Sequence, residues 1–215
     1  IYRESILERV TQQEDGVGCH FVYKGENQQV DVDAVLVSVG RVANTEGLFD
    51  PDVRVKMENG RIIVDDFYMT NIPGIYAIGD VTGGIQLAHA ATAQGRNAVT
   101  HMAGRDMAIR TDIVPSCVYT NPEIGCVGIS ADEAKARGME AVTKKYIMSA
   151  NGKSILSQQE RGFIKVVADS GSHRILGAQM MCARATDMIS QFAVAIVNEL
   201  TLEDMAKAIF PHPTF

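Results

Sequence analysis

Residues 114–128 read VPSCVYTNPEIGCVG, two short apolar runs on either side of an Asn-Pro pair. Both runs are rich in β-branched and other apolar residues, which is typical of strands, and Asn-Pro is typical of a turn. Apolar runs of similar length recur downstream at regular spacing. Together they predict an antiparallel sheet of five strands, at 114–119, 124–128, 141–148, 162–168 and 174–182.

Helical patterns accompany these strands. Ser130 and Glu133 form a capping-box pattern that opens a helix to about residue 137. Residues 186–200 predict a longer helix, and Thr201 opens a last helix to about residue 209. One face of the longer helix is apolar and consists of Met188, Ile189, Phe192, Ala195 and Ile196. The predicted class is α+β, a five-stranded antiparallel sheet flanked by helices.

The first 39 residues predict three strands without a helix, at 5–13, 18–23 and 29–39. The third strand loses its alternation over 35–39, where every residue but Ser38 is apolar, as expected of a strand that enters a buried sheet. Three strands bury too little surface to form a domain. The chain also begins without Met or a leader pattern, so we expect it to start within a domain.

The middle of the chain predicts short strands at 61–64 and 74–78 and a helix at about 87–103. Small residues dominate one predicted stripe of this helix, which would let it lie close to a sheet or a ligand. Gly104 is in position to end the helix. The stripe consists of Ala88, Ala91, Gly95, Ala98 and Met102.

Composition excludes two classes of partner. The formal charge is -6 and no basic stripe is present, so nucleic acid is not expected to bind. The longest apolar runs, 35–39 and 192–197, are far shorter than the roughly 20 residues that cross a bilayer. The four cysteines, Cys19, Cys117, Cys126 and Cys182, are widely spaced. They predict buried free thiols in a reducing compartment, interpreted as the cytoplasm, and show no metal spacing.

Residues 70–80 read TNIPGIYAIGD, a Thr separated by six residues from Ala-x-Gly-Asp. The pattern resembles the second flavin-binding motif of the pyridine nucleotide-disulfide oxidoreductases, which implies that Gly79 and Asp80 bind FAD. Gly79 would let the backbone approach the cofactor, and the Asp80 carboxylate would accept hydrogen bonds from ribitol hydroxyls. The alternative is an ordinary Gly-Asp turn after a buried strand.

The helix that follows supports the same interpretation. Its free N–H groups and positive dipole end would suit the flavin N1–C2=O edge, which becomes more negative on reduction. The family resemblance implies that the backbone of the segment Gln86, Leu87, Ala88 and His89 lies at that edge.

Residues 35–45, VLVSVGRVANT, resemble the family segment in which the nicotinamide domain ends. The resemblance implies that Gly40 lies near the NAD nucleotide, and the alternative is a plain turn glycine. The family usually has Pro at the position of Ala43.

Residues 210–215, FPHPTF, resemble the family's His-Pro-Thr motif. The resemblance implies that His212 is the acid–base group facing the redox disulfide of the other subunit. Imidazole suits this chemistry because thiol–disulfide exchange requires a thiolate and histidine titrates near neutral pH. The alternative is a solvated tail residue. The family's orienting Glu would fall two residues beyond Phe215.

These motifs, with 114–128 and the later segments 149–153 and 162–166, extend the resemblance over essentially the whole chain and favour the dihydrolipoamide dehydrogenase branch. The resemblance implies three parts. Residues 1–45 would be the last strands of the NAD-binding domain, 46–113 the second segment of the FAD-binding domain, and 114–215 the interface (dimerisation) domain. The implied enzyme is a homodimer that uses FAD and NAD and serves the lipoyl-bearing acyltransferase component of 2-oxo acid dehydrogenase complexes.

The chain contains no G-x-G-x-x-G turn and no closely spaced cysteine pair. We therefore expect a fragment whose NAD- and FAD-binding α/β domains are incomplete, and which alone shows neither flavin absorbance nor turnover. Two alternatives remain open at this point: a non-catalytic dimerisation module, and a fragment of a related disulfide or mercuric reductase.

Overall fold

The computed structural model describes all 215 residues. Two compact units divide the chain, residues 1–42 and residues 43–215. The first unit contains strands only, and the second contains the remaining strands and all five α-helices.

The first unit is an antiparallel meander of three strands, β1 (Ile6–Gln13), β2 (Gly16–Tyr23) and β3 (Glu26–Val32). Lys24 and Gly25 form the turn between β2 and β3, and both have positive φ, as a two-residue hairpin turn requires. Phe21 is the buried hydrophobic residue of this unit. The three predicted strands therefore exist; each begins within one to three residues of its predicted start, and the first two end where predicted.

The predicted continuation of the third strand to residue 39 is wrong. β3 ends at Val32, and residues 35–39 form no strand. Leu36 and Val39 are 91% and 87% exposed. A strand needs a hydrogen-bonded neighbour, and none of the ten strands of the chain pairs with this segment.

The segment between the first unit and the first helix is mostly irregular. Two-residue strands β4 (Met57–Glu58) and β5 (Arg61–Ile62) form a hairpin, so the predicted strand at 61–64 is short and has an unpredicted partner. The predicted strand at 74–78 is absent. Only an isolated antiparallel bridge between Met69 and Tyr76 occurs there, because no further strand lies alongside.

Helix α1 (Ala88–Met102) lies where the sequence predicts a helix, and Gly104 follows its end with a φ of +67°. The predicted buried stripe is wrong at its two ends, while Ala91 and Gly95 within it are partly buried. Ala98 is buried, but Ala88 and Met102 are exposed, and the helix also buries Ala90 and Asn97. Asn97 can be buried because both ends of its side-chain amide are hydrogen-bonded. Its Nδ2 donates to the carbonyl oxygen of Ile109 at 2.8 Å, and its Oδ1 accepts from the Ile109 N–H at 3.2 Å.

The five-stranded antiparallel sheet predicted for 114–182 is present. Its strands are β6 (Ser116–Val118), β7 (Glu123–Gly128), β8 (Ala141–Ile147), β9 (Phe163–Asp169) and β10 (Ile175–Cys182). They lie in the order β6-β7-β10-β9-β8, and every neighbouring pair is antiparallel. The central strand β10 is the most buried, with Ala178, Met180 and Cys182 almost fully covered.

Helix α4 (Ala185–Val197) covers one face of this sheet and forms the main core with it. Ile189, Ala195 and Ile196 are buried, while Met188 and Phe192 pack at the edge of the core, which confirms the predicted apolar face. The helix approaches the sheet closely at Gly125, where a Cβ would lie 2.8 Å from the carbonyl oxygen of Ala185. Core burial of this kind is the main stabilising term of the second unit.

Three short helices complete the second unit: α2 (Ala131–Ala136), α3 (Gly152–Leu156) and α5 (Leu202–Ala206). Capping boxes open α2 at Ser130 and α5 at Thr201. α5 ends three residues before the predicted 209, where Ile209 is 99% exposed and Pro211 follows. An extension would bury nothing and would approach a proline, which disfavours helix in the residue before it.

All four cysteines are free, with Cys182 buried and the other three partly buried. Burial raises the pKa of the Cys182 thiol to about 11, so this thiol stays protonated at neutral pH. None of the helices combines the length and the apolar character needed to traverse a lipid bilayer. No group of His, Cys, Asp and Glu side chains has the arrangement of a metal site.

Candidate functional site

Gly79 and Asp80 begin a single turn of 3-10 helix, Gly79–Thr82. Gly79 has a φ of +73°, in the left-handed region that favours glycine. Its N–H donates a 2.7 Å hydrogen bond to Oε1 of Gln94, and its carbonyl oxygen accepts one of 2.9 Å from Oγ1 of Thr82. Both peptides that flank Gly79 are therefore held in place.

The turn lies directly against α1. A Cβ at Gly79 would lie 3.0 Å from the Cβ of Ala91, and one at Gly95 would lie 3.0 Å from Cδ1 of Ile78. Two glycines, one in the turn and one in the helix, thus permit this close packing. Gly95 belongs to the predicted small-residue stripe, so that part of the prediction identified a real close approach.

The first turn of α1 lacks a side-chain cap. The N-cap residue Leu87 has an extended backbone and an apolar side chain, and it makes no side-chain hydrogen bond to the helix. Helix N-termini carry N–H groups and a partial positive charge that favour an anionic or carbonyl oxygen. The side chain of His89 is hydrogen-bonded to a different segment, since its Nε2 lies 2.7 Å from the carbonyl oxygen of Pro115.

These features fit a flavin dinucleotide on chemical grounds. The partly buried carboxylate of Asp80 follows Gly79 directly, and Gln86 and Leu87 lead into the uncapped helix. The residues present therefore include an acceptor for hydroxyl groups and a group of backbone donors for a carbonyl oxygen. A bulkier residue at position 79 would collide with α1.

Gly40 has a φ of +111° and would have no heavy atom within 4 Å of an added Cβ. Its backbone conformation, not a lack of space, is what requires glycine there. It belongs to the first compact unit, and its proximity to NAD stays a prediction.

His212 is exposed and makes no hydrogen bond or ion pair within the chain. The residues after it are anchored. The carbonyl oxygen of Thr214 accepts a 3.1 Å hydrogen bond from Nδ2 of Asn151, and Phe215 packs against the main core. Asn151 is also the N-cap of α3, with its Oδ1 2.8 Å from the N–H of Ser154.

A cleft of about 470 Å³ lies beside the anchored tail. Lys153, Arg184 and Phe215 contribute to its wall, together with Glu123. Oε2 of Glu123 accepts hydrogen bonds of 2.7 Å and 3.0 Å from Oγ1 and N–H of Thr186, in the first turn of α4. The hydrogen bond from the Thr186 hydroxyl, followed by that from its N–H, lowers the pKa of Glu123.

We expect Glu123→Gln to destabilise the chain by roughly 1 kcal/mol at neutral pH, since it removes a carboxylate from a helix N-terminus. The folded pKa of Glu123 is depressed, so its contribution is present above the unfolded carboxyl pKa and is lost as the pH falls through the folded value. The difference between wild type and variant should therefore shrink in acid. Urea unfolding at pH 7 and below pH 4 measures it.

Glu140→Gln is the matched control for this prediction. Glu140 is exposed, and its side chain makes no hydrogen bond. The control should unfold like the wild type at both pH values. Equal stability of Glu123→Gln and wild type at pH 7 would contradict the stabilising role of the carboxylate.

The predicted site residues fall into three groups. Gly79 packs against α1 at Ala91 and directly precedes Asp80, and residues 86–89 lead into the same helix, whereas Gly40 lies in the other unit and His212 in the segment after the sheet. Sequence reasoning missed Gln94 and the bond between Glu123 and Thr186, because no local pattern indicates contacts over such separations. The N-cap at Asn151 could have been predicted from sequence, because asparagine is a preferred N-cap residue and its side chain reaches the N–H three residues later, here that of Ser154.

Two family models match the chain. One, described as pyridine nucleotide-disulphide oxidoreductase, matches residues 1–95. The other, described as the pyridine nucleotide-disulphide oxidoreductase dimerisation domain, matches residues 114–215 and thus contains the five-stranded sheet and α4.

Similar curated proteins are named dihydrolipoyl dehydrogenase. One from Bacillus subtilis is 37% identical over 215 residues, which is 100% of this chain and 46% of that protein. One from Geobacillus stearothermophilus is 35% identical with the same coverage. A mitochondrial one from Caenorhabditis elegans is 37% identical over 88% of this chain and 39% of its own length. The chain thus spans about half the length, or less, of the curated relatives it matches.

Solved structures show the same similarity. LpdA from Mycobacterium tuberculosis matches with a TM-score of 0.90 and 29% identity, over 98% of this chain and 46% of that one. The HOCl-induced flavoprotein disulfide reductase RclA from Escherichia coli matches with a TM-score of 0.85 and 27% identity, over 97% of this chain and 48% of that one.

Proposed function

Because the chain belongs to the pyridine nucleotide-disulphide oxidoreductase family, we propose that it is the C-terminal part of a dihydrolipoyl dehydrogenase. The observation that carries the proposal is the Gly79–Asp80 turn, clamped against a helix whose N-terminus has no side-chain cap. An ordinary Gly-Asp turn would need neither the close packing against α1 nor an open helix start. The identity to dihydrolipoyl dehydrogenases over all 215 residues supports the same assignment.

In this proposal the residues around α1 hold FAD. Asp80 accepts hydrogen bonds from the ribitol hydroxyls, and the backbone from Gln86 to His89 faces the flavin carbonyl edge. Gly79 gives the backbone its close approach. When bound, FAD supplies the two-electron transfer between the dithiol and the nicotinamide. Gly40 lies near the NAD nucleotide.

His212 is proposed as the acid–base residue. Its imidazole takes a proton from one thiol of dihydrolipoamide and so generates the thiolate that attacks a disulfide. In the overall reaction the dithiol loses two electrons and two protons and closes a sulfur–sulfur bond, while NAD⁺ gains a hydride and one proton is released. The exposure of His212 and the anchoring of Thr214 and Phe215 support a role that requires access to substrate.

We further propose the domain division 1–45, 46–113 and 114–215, with the last part forming a homodimer. The family description of residues 114–215 as a dimerisation domain supports the dimer. The proposed partner is the lipoyl-bearing acyltransferase component of 2-oxo acid dehydrogenase complexes, because it carries the dithiol substrate. The four free cysteines support a reducing compartment, which we propose is the cytoplasm.

A second candidate is the reduction of another disulfide. The similarity to a flavoprotein disulfide reductase, at a TM-score of 0.85, favours it. The two candidate functions use the same residues around α1 and differ in the dithiol or disulfide substrate on which His212 acts.

The test is an assay of the complete polypeptide that carries this chain. We expect a yellow protein that forms NADH from dihydrolipoamide and NAD⁺. The 215 residues alone, which contain neither a G-x-G-x-x-G turn nor a closely spaced cysteine pair, serve as the control and should show neither flavin absorbance nor turnover. A yellow protein that reduces other disulfides and leaves dihydrolipoamide untouched would favour the second candidate. A colourless, inactive complete protein would exclude both.

A further inference from the structure

We propose that Gln94 is a positioning residue for the flavin-binding turn: it orients the peptide before Gly79 and thereby aims the carboxylate of Asp80. The inference rests on the proposed function, because it concerns the same site. Gln94 lies in the middle of α1, 14 residues after Asp80, and no motif of the chain includes it.

The turn requires such a constraint because glycine has the greatest conformational freedom of all residues. Gly79 has a φ of +73°, and Asp80 is the next residue, so a rotation at Gly79 redirects the Asp80 side chain. Thr82 holds the carbonyl oxygen of Gly79 from within the turn itself. A bond inside the turn fixes its shape but not its orientation on the helix.

Gln94 supplies the missing link to the helix. Its Oε1 accepts a 2.7 Å hydrogen bond from the Gly79 N–H, so a side chain of α1 holds the turn directly. Gly79 is buried, so removal of this acceptor would leave a buried N–H without a partner. The same helix begins with the uncapped residues 88–90, so Gln94 ties both proposed flavin contacts to one rigid element.

The essential atom is the acceptor Oε1, so variants that keep or remove this oxygen can separate its hydrogen bond from the packing of the Gln94 side chain. Gln94→Met retains a side chain of similar length but lacks a strong acceptor. Gln94→Glu retains an oxygen that can accept from the Gly79 N–H. Thr92→Val is the matched control on the same helix, since the Thr92 hydroxyl bonds only the carbonyl oxygen of Ala88 in the preceding turn.

The experiment titrates FAD into the complete apoprotein, follows flavin fluorescence, and then records the visible spectrum and the flavin midpoint potential of each loaded protein. Gln94→Met should bind FAD about tenfold more weakly, as expected from the loss of one buried hydrogen bond, with a changed spectrum and potential. Gln94→Glu should bind within about threefold of the wild type, and Thr92→Val should match it. Gln94→Ala replaces Gln94→Met if the latter does not fold.

Three results would overturn the inference. Wild-type affinity and spectrum in Gln94→Met would show that the acceptor does not matter. Equal losses in Gln94→Met and Gln94→Glu, with unchanged potentials, would indicate a merely structural role. A wild-type complete protein that binds no FAD would overturn the proposed function and the inference with it, and this result is distinct from the other two.

Discussion

Replacement of His212 by glutamine in the complete enzyme is expected to lower the rate of dihydrolipoamide oxidation by about 100-fold or more, the usual contribution of general acid–base catalysis. Glutamine retains a polar side chain of similar size but cannot take the thiol proton. His212 makes no hydrogen bond within the chain, so folding should be unaffected. Steady-state kcat with dihydrolipoamide and NAD⁺ measures the effect.

His173→Gln is the matched control. His173 lies in the turn between β9 and β10 and is also exposed, but its Nδ1 is paired with Glu203 at 2.6 Å, away from the proposed chemistry. This variant should retain wild-type turnover, and both variants should bind FAD normally. A His212→Gln enzyme with wild-type kcat would exclude His212 as the acid–base residue.

Gly162→Ala is expected to destabilise the chain by about 3 kcal/mol or more, because it combines backbone strain with overpacking. Gly162 has a φ of +133°, and an added Cβ would collide with the backbone carbonyl of Met181 in the neighbouring strand β10. Its own carbonyl oxygen accepts a hydrogen bond from the Met148 N–H, so a shift there would also disturb the end of β8. Urea unfolding followed by circular dichroism measures the loss.

Gly171→Ala is the corresponding control in the turn between β9 and β10. Its φ is not positive, and an added Cβ would meet only Oδ1 of Asp169, at an ordinary contact distance of 3.7 Å. The expected change is within about 0.5 kcal/mol, as for most exposed substitutions. Similar unfolding midpoints for the two variants would contradict the role of Gly162.

The second unit could be predicted because its elements carry local signals. The strands of the antiparallel sheet lie within about two residues of their predicted bounds, and most have turn residues at their ends. α2 and α5 begin at capping boxes that a four-residue pattern reveals. α4 was recognisable because its apolar residues recur at helical spacing and pack on the sheet.

The failures lie where a segment finds little or no strand pairing in the chain. Residues 35–39 and 74–78 have strand composition, but 35–39 pair with no strand and 74–78 form only the isolated bridge between Met69 and Tyr76. The predicted buried stripe of α1 was wrong at Ala88 and Met102 for a different reason. Its burial depends on the 3-10 turn and on the loop at Ile109, neither of which has apolar periodicity.

The candidate site was only partly accessible from sequence. The motif indicated Gly79 and Asp80, because a glycine with a special backbone conformation and a carboxylate have recognisable chemistry. Gln94 carries no such mark. Its importance arises from a hydrogen bond to a residue 15 positions away, which depends on how α1 packs against the turn.

The side-chain amide of Asn151 makes two hydrogen bonds, so deamidation of this residue would affect the C-terminal segment that contains Thr214. Its oxygen caps α3 and its nitrogen holds Thr214, and the next residue is Gly152, whose unhindered N–H can attack the side-chain carbonyl carbon of a preceding asparagine and release ammonia. Deamidation to aspartate would leave an oxygen for the helix and remove the donor for the tail. One lost ammonia would thus remove one of the two anchors of the segment that carries the imidazole and leave Phe215 as the other.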